Sequence, residues 1–399
     1  MLLSLALLLL IGLAMKSLVE KLGLPGIIGI FATGVLLGPS CFNLLDDHLL
    51  AISGELRQMA LIIILLKAGL SLDLSDLKQV GRPAVFMSFV PASFEIIGYT
   101  LLAPILLGIS RVDAALMGTV LAAVSPAVVV PRMDKMMEKG IGTKKSIPQL
   151  IMAGASCDDI FVIVLFTSFL GMAKGGDLKL ASLMNVPLSV ICGMIVGGIV
   201  GYVLYRFFES AFMRERHVRN SVKVLIMLAV SFLLVAGEGL LKGKIAMSGL
   251  IAVVAMAVVI HEKMPAQVST RLSEKFGKLW IGAEIFLFVL VGAAVDIHYT
   301  LDAGGAAVAL IFMALIFRSF GVATSLAGTG LTFKERIFCI LAYLPKATVQ
   351  AAIGSVPLQA GLGSGKVILS VAVLSILITA PLGALLIDRT QRIFLTNSK

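Results

Sequence analysis

Charge is scarce in this sequence: Asp, Glu, Lys and Arg together make up 14% of 399 residues, while 59% are hydrophobic and the mean hydropathy is +1.04. So little charge excludes an ordinary soluble globular domain and reads as a polytopic membrane protein. Cysteine is equally sparse. Cys41, Cys157, Cys192 and Cys339 stand singly, three of them in apolar runs, which excludes a disulfide framework and a thiolate metal site and leaves them as small packing residues. The histidines His48, His217, His261 and His298 read as loop residues without metal-ligand spacing. The amino terminus MLLSLALLLLIGLAM has neither a basic leader nor a small-residue cleavage site, so it reads as a spanning helix and not as a signal peptide. No nucleotide-binding motif or soluble domain is recognisable, which argues against a channel or regulatory subunit.

What is abundant is apolar helix. A helix needs about 20 apolar residues to cross the hydrocarbon. Suitable runs centre near residues 10, 32, 62, 95, 121, 160, 195, 230, 253, 288, 315, 345 and 377, which predicts about 13 transmembrane helices. With the amino terminus outside, the inner connections and tail collect 23 Lys and Arg against seven outside, and the outer loops carry acids such as Asp46, Asp47 and Asp302. Lys and Arg mark the cytoplasmic side, so the carboxyl terminus is expected in the cytoplasm. The net charge of +10 then reflects topology, not nucleic-acid binding.

Sliding the chain by 223 residues lays PGIIG (25–29) on SGLIA (248–252), AGLSLD (68–73) on VGAAVD (291–296), and Glu95 on Arg318. A three-residue change of register lays LAAVSPA (121–127) on LAYLPKA (341–347). The common order predicts a six-helix repeat (1–180), a linker helix and cytoplasmic loop (181–219), and a second repeat (220–399). A six-helix unit returns to its starting side and the linker crosses once more, so the 6+1+6 repeat is inverted, as in many secondary transporters.

Both members of the fifth pair carry breakers: Pro126 and Pro131 in AAVSPAVVVP, and Pro345, Gly354 and Pro357 in LPKATVQAAIGSVP. Proline removes a backbone donor, and freed backbone at membrane depth is tolerated only in a cavity or within protein. Two facing interrupted helices would present half-helix ends of opposite partial charge to an ion.

Seven charges remain within the spans: Lys67, Glu95, Asp158, Asp159, Glu284, Arg318 and Lys346. Lys67 and Glu284 fall near cytoplasmic ends, where they can snorkel or rim an inner vestibule. The other five fall near mid-span, where each charge costs at least ~2.5 kcal/mol, and so must be paired or line water. Neighbours on a helix diverge by about 100°, so Asp158 and Asp159 are expected to differ: one faces a cavity as carrier while the other pairs with a base. A carboxylate contested by a proton and a cation suffices to couple opposite fluxes.

The combination of LGLPGIIGIFATGVLLGP, LLKAGLSLD, AAVSPAVVVP, SCDDIFVIVLF and LPKATVQAAIG resembles the cation/proton antiporter superfamily over essentially the whole chain. AAVSPAVVVP and LPKATVQAAIG are similar to its NHA (SLC9B-like) subgroup of sodium/proton antiporters. The resemblance implies an all-α, NhaA-like antiporter fold with two crossed discontinuous helices. A dimerisation domain (helices near 1–50 and 181–262) would pack against an ion-binding core (near 55–173 and 277–388) that moves as an elevator. It implies a homodimer in the cell (inner) membrane that exchanges Na+, and also Li+, for H+, with no cofactor and no catalytic residues.

Carried onto this chain, Asp159 matches the principal ion-binding aspartate and Asp158 its partner, while Ser125 with Val124 matches the unwound stretch that supplies oxygen ligands. Glu95 and Arg318 resemble a buried ion pair of the subgroup, and Lys346 its basic residue beside the second break. From the residues alone, a structural bridge at Glu95 and Arg318, and dipole compensation at Lys346, read as well as transport roles. Arg318 stands where electrogenic relatives carry a lysine that pairs with the first aspartate, here Asp158; arginine stays protonated, so the departure implies electroneutral or weakly electrogenic exchange. The alternatives are potassium/proton exchange and a bile-acid-like sodium symport of organic anions on a related fold. The symport would want Asn, Gln, Ser and Thr in the core in place of an Asp pair and interior bases.

Overall fold

The computed structural model describes residues 1–71, 80–174, 180–213, 218–241, 247–295 and 304–395. The repeat-matched ends Asp73 and Asp296, the histidines His217 and His298, and the loop residues Lys78, Lys179, Arg214, Arg216, Lys242, Lys244, Asp302 and Lys399 lie outside them. The elements are α1 (Leu2–Lys21), α2 (Gly26–Leu37), α3 (Asp47–Ala51), α4 (Ser53–Ser71), α5 (Arg82–Met87), α6 (Val90–Leu107), α7 (Arg111–Leu121), α8 (Pro126–Glu138), α9 (Ile147–Ala173), α10 (Leu180–Met213), α11 (Asn220–Leu241), α12 (Gly249–Lys263), α13 (Ala266–Ala293), α14 (Gly304–Ser325), α15 (Phe333–Ala342), α16 (Thr348–Ile353), α17 (Val356–Gln359) and α18 (Gly365–Phe394). Among the described residues, nine stretches are long and apolar enough to cross a bilayer: α1, α5 with α6, α7 with α8, α9, α10, α11, α13, α14 and α18. Two expectations are corrected here: His48 lies on α3 and His261 near the end of α12, not in loops.

Polar residues start these helices where the apolar runs cannot. Ser110 Oγ accepts from Asp113 N at the head of α7, and Thr332 with Glu335 forms a reciprocal capping box on α15, each meeting amides that have no partner inside the helix. Lys145 Nζ donates to Glu335 Oε2 at 2.7 Å, tying the 143–145 turn to that cap. Leu10 on α1, Ile195 and Ile199 on α10, and Leu225 and Leu233 on α11 stay exposed, as suits helices that meet lipid.

The chain forms two compact units: Met1–Gly54 with Asp73–Lys174 and Leu287–Lys399, and Glu55–Leu72 with Gly175–Phe286. In the smaller, α10 lies on α12 through glycines four residues apart, so that a Cβ on Gly193 would stand 2.7 Å from Ser248 O and one on Gly201 2.8 Å from Met256 O. Small residues at this spacing let membrane helices approach backbone to backbone. Gly69 of α4 presses on α12 at Ala257 and Val254 O.

In the larger unit, Gly292 of α13 presses on α2 at Phe31 O and Gly34, residues offset by 223 from Val254 and Ala257, as Gly292 is from Gly69. The same offset recurs where α6 crosses α14: Gly98 meets Phe317, and Gly321 meets Phe94 and Pro91.

Both expected breaks occur. α7 ends at Leu121, and α8 begins with Pro126 at its first position, where a proline has no helical bond to lose, and runs on through Pro131. In the other, the chain leaves helix after Ala342, passes Pro345 and re-enters at Thr348, with Gly354 and Ser355 separating α16 from α17.

Candidate functional site

The two unwound stretches touch. Ser125 N donates to Pro345 O at 2.8 Å, joining positions that match in the 121–127 and 341–347 alignment; Pro345 has no N–H to return the bond. Around this contact the end of α7 finds partners for the carbonyls its helix leaves free. Gln350 Nε2 donates to Leu121 O at 3.2 Å and Ala123 O at 2.8 Å. Arg318 Nη1 and Lys346 Nζ both donate to Ala122 O, the latter at 3.3 Å. Two cations and an amide thus meet the negative pole of a half-helix. On the next peptide, Val124 N donates to Asp158 Oδ2 at 2.9 Å.

Four charges form one buried network. Arg318, from α14, donates through Nη1 to Glu95 Oε2 of α6 at 2.8 Å and through Nη2 to Asp158 Oδ2 of α9 at 3.0 Å. Its Nε donates to Tyr343 O, and its guanidinium carbon sits 5.3 Å from the centre of the Tyr343 ring. Lys346 Nζ donates to the same Glu95 oxygen at 2.6 Å. All four side chains are at most 1% exposed. Two acids face two bases, so the network is neutral.

Asp159 stands next to it on α9 and is 6% exposed, with Oδ1 lacking a hydrogen-bond partner. Ser125 Oγ, Thr348 Oγ1 and Asp158 Oδ1, all on residues at or bonded to the two breaks, are likewise buried without partners. These oxygens are the chemistry a monovalent cation needs. An uncompensated buried carboxylate is costly, so Asp159 requires a proton or a cation.

The sequence-named residues Asp158, Val124, Glu95, Arg318 and Lys346 are therefore joined through hydrogen bonds, with Ser125 next to Val124 and Asp159 next to Asp158 in the chain. Gln350 and Tyr343 were missed. Gln350 had a signal, being the one amide in the apolar turn TVQAAI; Tyr343 engages Arg318 through its backbone and ring, which side-chain type does not announce. Among the described residues no cluster of three or more His, Cys, Asp or Glu gathers for a metal, and all four cysteines are free.

A sequence profile for the family described as "Sodium/hydrogen exchanger, transmembrane" matches residues 5–390. Human "Sodium/hydrogen exchanger 9B2" is 35% identical over 344 residues, which cover 84% of this chain and 63% of that protein. Human "Sodium/hydrogen exchanger 9B1" is 34% identical over 347 residues, covering 84% and 65%. The chain thus spans somewhat less than two thirds of the length of these curated relatives. The solved structure of the sodium proton antiporter MjNhaP1 from Methanocaldococcus jannaschii at pH 8 superposes with a TM-score of 0.82 over 98% of this chain and 97% of that one, at 18% identity, which shows a common fold. With the profile running through nearly all of its helices, the chain belongs to the sodium/hydrogen exchanger family, whose members are membrane transporters and not enzymes.

Proposed function

We propose that the protein exchanges Na+, and Li+ at the same site, for H+ by alternating access. The observation that carries this reading is the charge balance: Glu95 and Asp158 are neutralised by Arg318 and Lys346, and Asp159 is the carboxylate left over. Bound to a proton it is neutral, bound to a cation it is neutral, and the two states exclude each other. Asp158 is the fixed neighbour, held through Oδ2 by Arg318 and Val124 N, with Oδ1 left to face the ion. Ser125 and the carbonyl of Val124 supply oxygen ligands beside Asp159. Glu95, Arg318 and Lys346 hold the core helices and offset the half-helix pole. No cofactor enters this scheme. Neither family nor network favours organic-anion symport.

The architecture we infer has 13 spans and a 6+1+6 inverted repeat. Its support is that α2, α4, α12 and the broken α15–α17 add four crossings to the nine long ones, and that two sets of close helix contacts recur at the 223-residue offset. The elevator reading assigns the site helices to a moving core and the helices near 1–50 and 181–262 to a dimerisation domain. Its support comes from the second of these segments alone: Gly175–Phe286 groups with Glu55–Leu72 in a compact unit without site residues, whereas Met1–Gly54 groups with the site helices. The Lys and Arg distribution favours a cytoplasmic carboxyl terminus in the cell membrane.

The test is Asp159→Asn in proteoliposomes with a trapped pH dye. The variant should elute as wild type and release no protons on addition of Na+ or Li+. Normal release by a folded variant would overturn the assignment, and a wild type that responds to K+ but not to Na+ would replace it by potassium/proton exchange.

A further inference from the structure

We infer that Gln350 is a positioning residue that sets cation affinity at the exchange site through a single peptide plane. The inference rests on the exchange reading above and deepens it. Gln350 sits on α16 and is 1% exposed. Its Nε2 faces two carbonyls, Leu121 O and Ala123 O; the amide oxygen in that place would set three acceptors together, so the nitrogen belongs there and both of its hydrogens are used. Gln350 Oε1 is then left buried without a partner, a cost that an apolar side chain of the same size would avoid. What Gln350 contributes is its two donors.

The Ala123 carbonyl and the Val124 N–H belong to one planar, trans peptide group. Gln350 grips its oxygen at 2.8 Å and Asp158 Oδ2 grips its N–H at 2.9 Å. The plane is pinned from both ends, and donation to its oxygen strengthens donation by its nitrogen. Asp158 is thereby tied to α16 of the other half of the chain, and Asp159 follows it on the same turn of α9. Gln350 tunes the site without touching the ion. Arg318 and Lys346 do not substitute for it, because both act on the preceding carbonyl, Ala122 O.

Gln350→Met keeps volume and removes both donors, and Gln350→His keeps one ring N–H. Initial rates in proteoliposomes against Na+ and Li+ concentration separate apparent KM from maximal rate. Q350M should raise the KM for Na+ about tenfold, equivalent to ~1.4 kcal/mol, shift the Li+ to Na+ ratio and leave the maximal rate within about twofold; Q350H should fall between. A role in folding alone would lower yield and thermal stability with KM unchanged. Wild-type KM values in folded Q350M, or in Q350H should Q350M not fold, overturn the inference. A wild type that moves no protons in response to Na+ sinks the exchange reading and this inference with it; a wild type that exchanges, with Q350M at the same KM, sinks this inference alone.

Discussion

Arg318 is the residue on which most of the site converges, since it holds Glu95, Asp158 and the carbonyls of Ala122 and Tyr343 at once. Removing one partner of a buried pair leaves its counterpart uncompensated, at about 3–5 kcal/mol. Arg318→Gln should therefore lower thermal stability more than Glu95→Gln, because it strands two carboxylates while the Glu95 change strands shared cations. Combining the two should cost less than the singles summed. Thermal unfolding in detergent checks both; equal singles that add strictly would show that these groups do not act together. The sequence displayed the partners, through Glu95 and Arg318 sharing one offset and through the divergence of adjacent aspartates on a helix. Which aspartate Arg318 takes came from the family resemblance, which pointed to Asp158; the residues alone left it open, since it depends on how α9 is rotated in its packing. Nor did the sequence display the carbonyls of Ala122 and Tyr343, because backbone acceptors carry no residue type.

Among elements, the contact of α6 with α14 sets one glycine against backbone and its counterpart against a side chain. A Cβ on Gly321 would stand 2.7 Å from Pro91 Cα, backbone that cannot yield, whereas one on Gly98 would stand 2.9 Å from Phe317 Cγ, a ring that can turn. Gly321→Ala should thus destabilise by about 1–3 kcal/mol and Gly98→Ala by less, a ranking that melting temperatures test directly. The reverse order would mean that the helices slide apart under load. Breaks were legible from proline, yet only in part: Pro126 heads a half-helix while α8 absorbs Pro131, since a proline ends a helix only where neighbouring structure does not carry the lost bond. The hydropathy runs located the helices well; they are silent on pairings such as α10 on α12, which small residues and backbone approach decide.

For the whole molecule the neutral network has an electrical consequence. On the proposed reading Glu95 and Asp158 stay balanced by Arg318 and Lys346 and Asp159 alone changes occupancy, so one monovalent cation would return as one proton. Exchange should be electroneutral or nearly so. After a Na+ jump at symmetric pH on a solid-supported membrane, transport should proceed with no sustained current, and a valinomycin-sensitive current that scales with transport would refute this. The 223-residue correspondence that lays Glu95 on Arg318 carries a further implication, on the reading that the two halves form an inverted repeat. In a pair of identical half-length chains related by a two-fold axis, a residue on that axis meets its own copy, so position 95 would have faced glutamate with glutamate or arginine with arginine, a repulsion no membrane interior accommodates. The Glu95–Arg318 bridge needs two different residues at equivalent places, which separate copies of one gene product cannot supply. A homodimer of one half cannot hold that bridge; a single chain, or two half-chains that differ from each other, can.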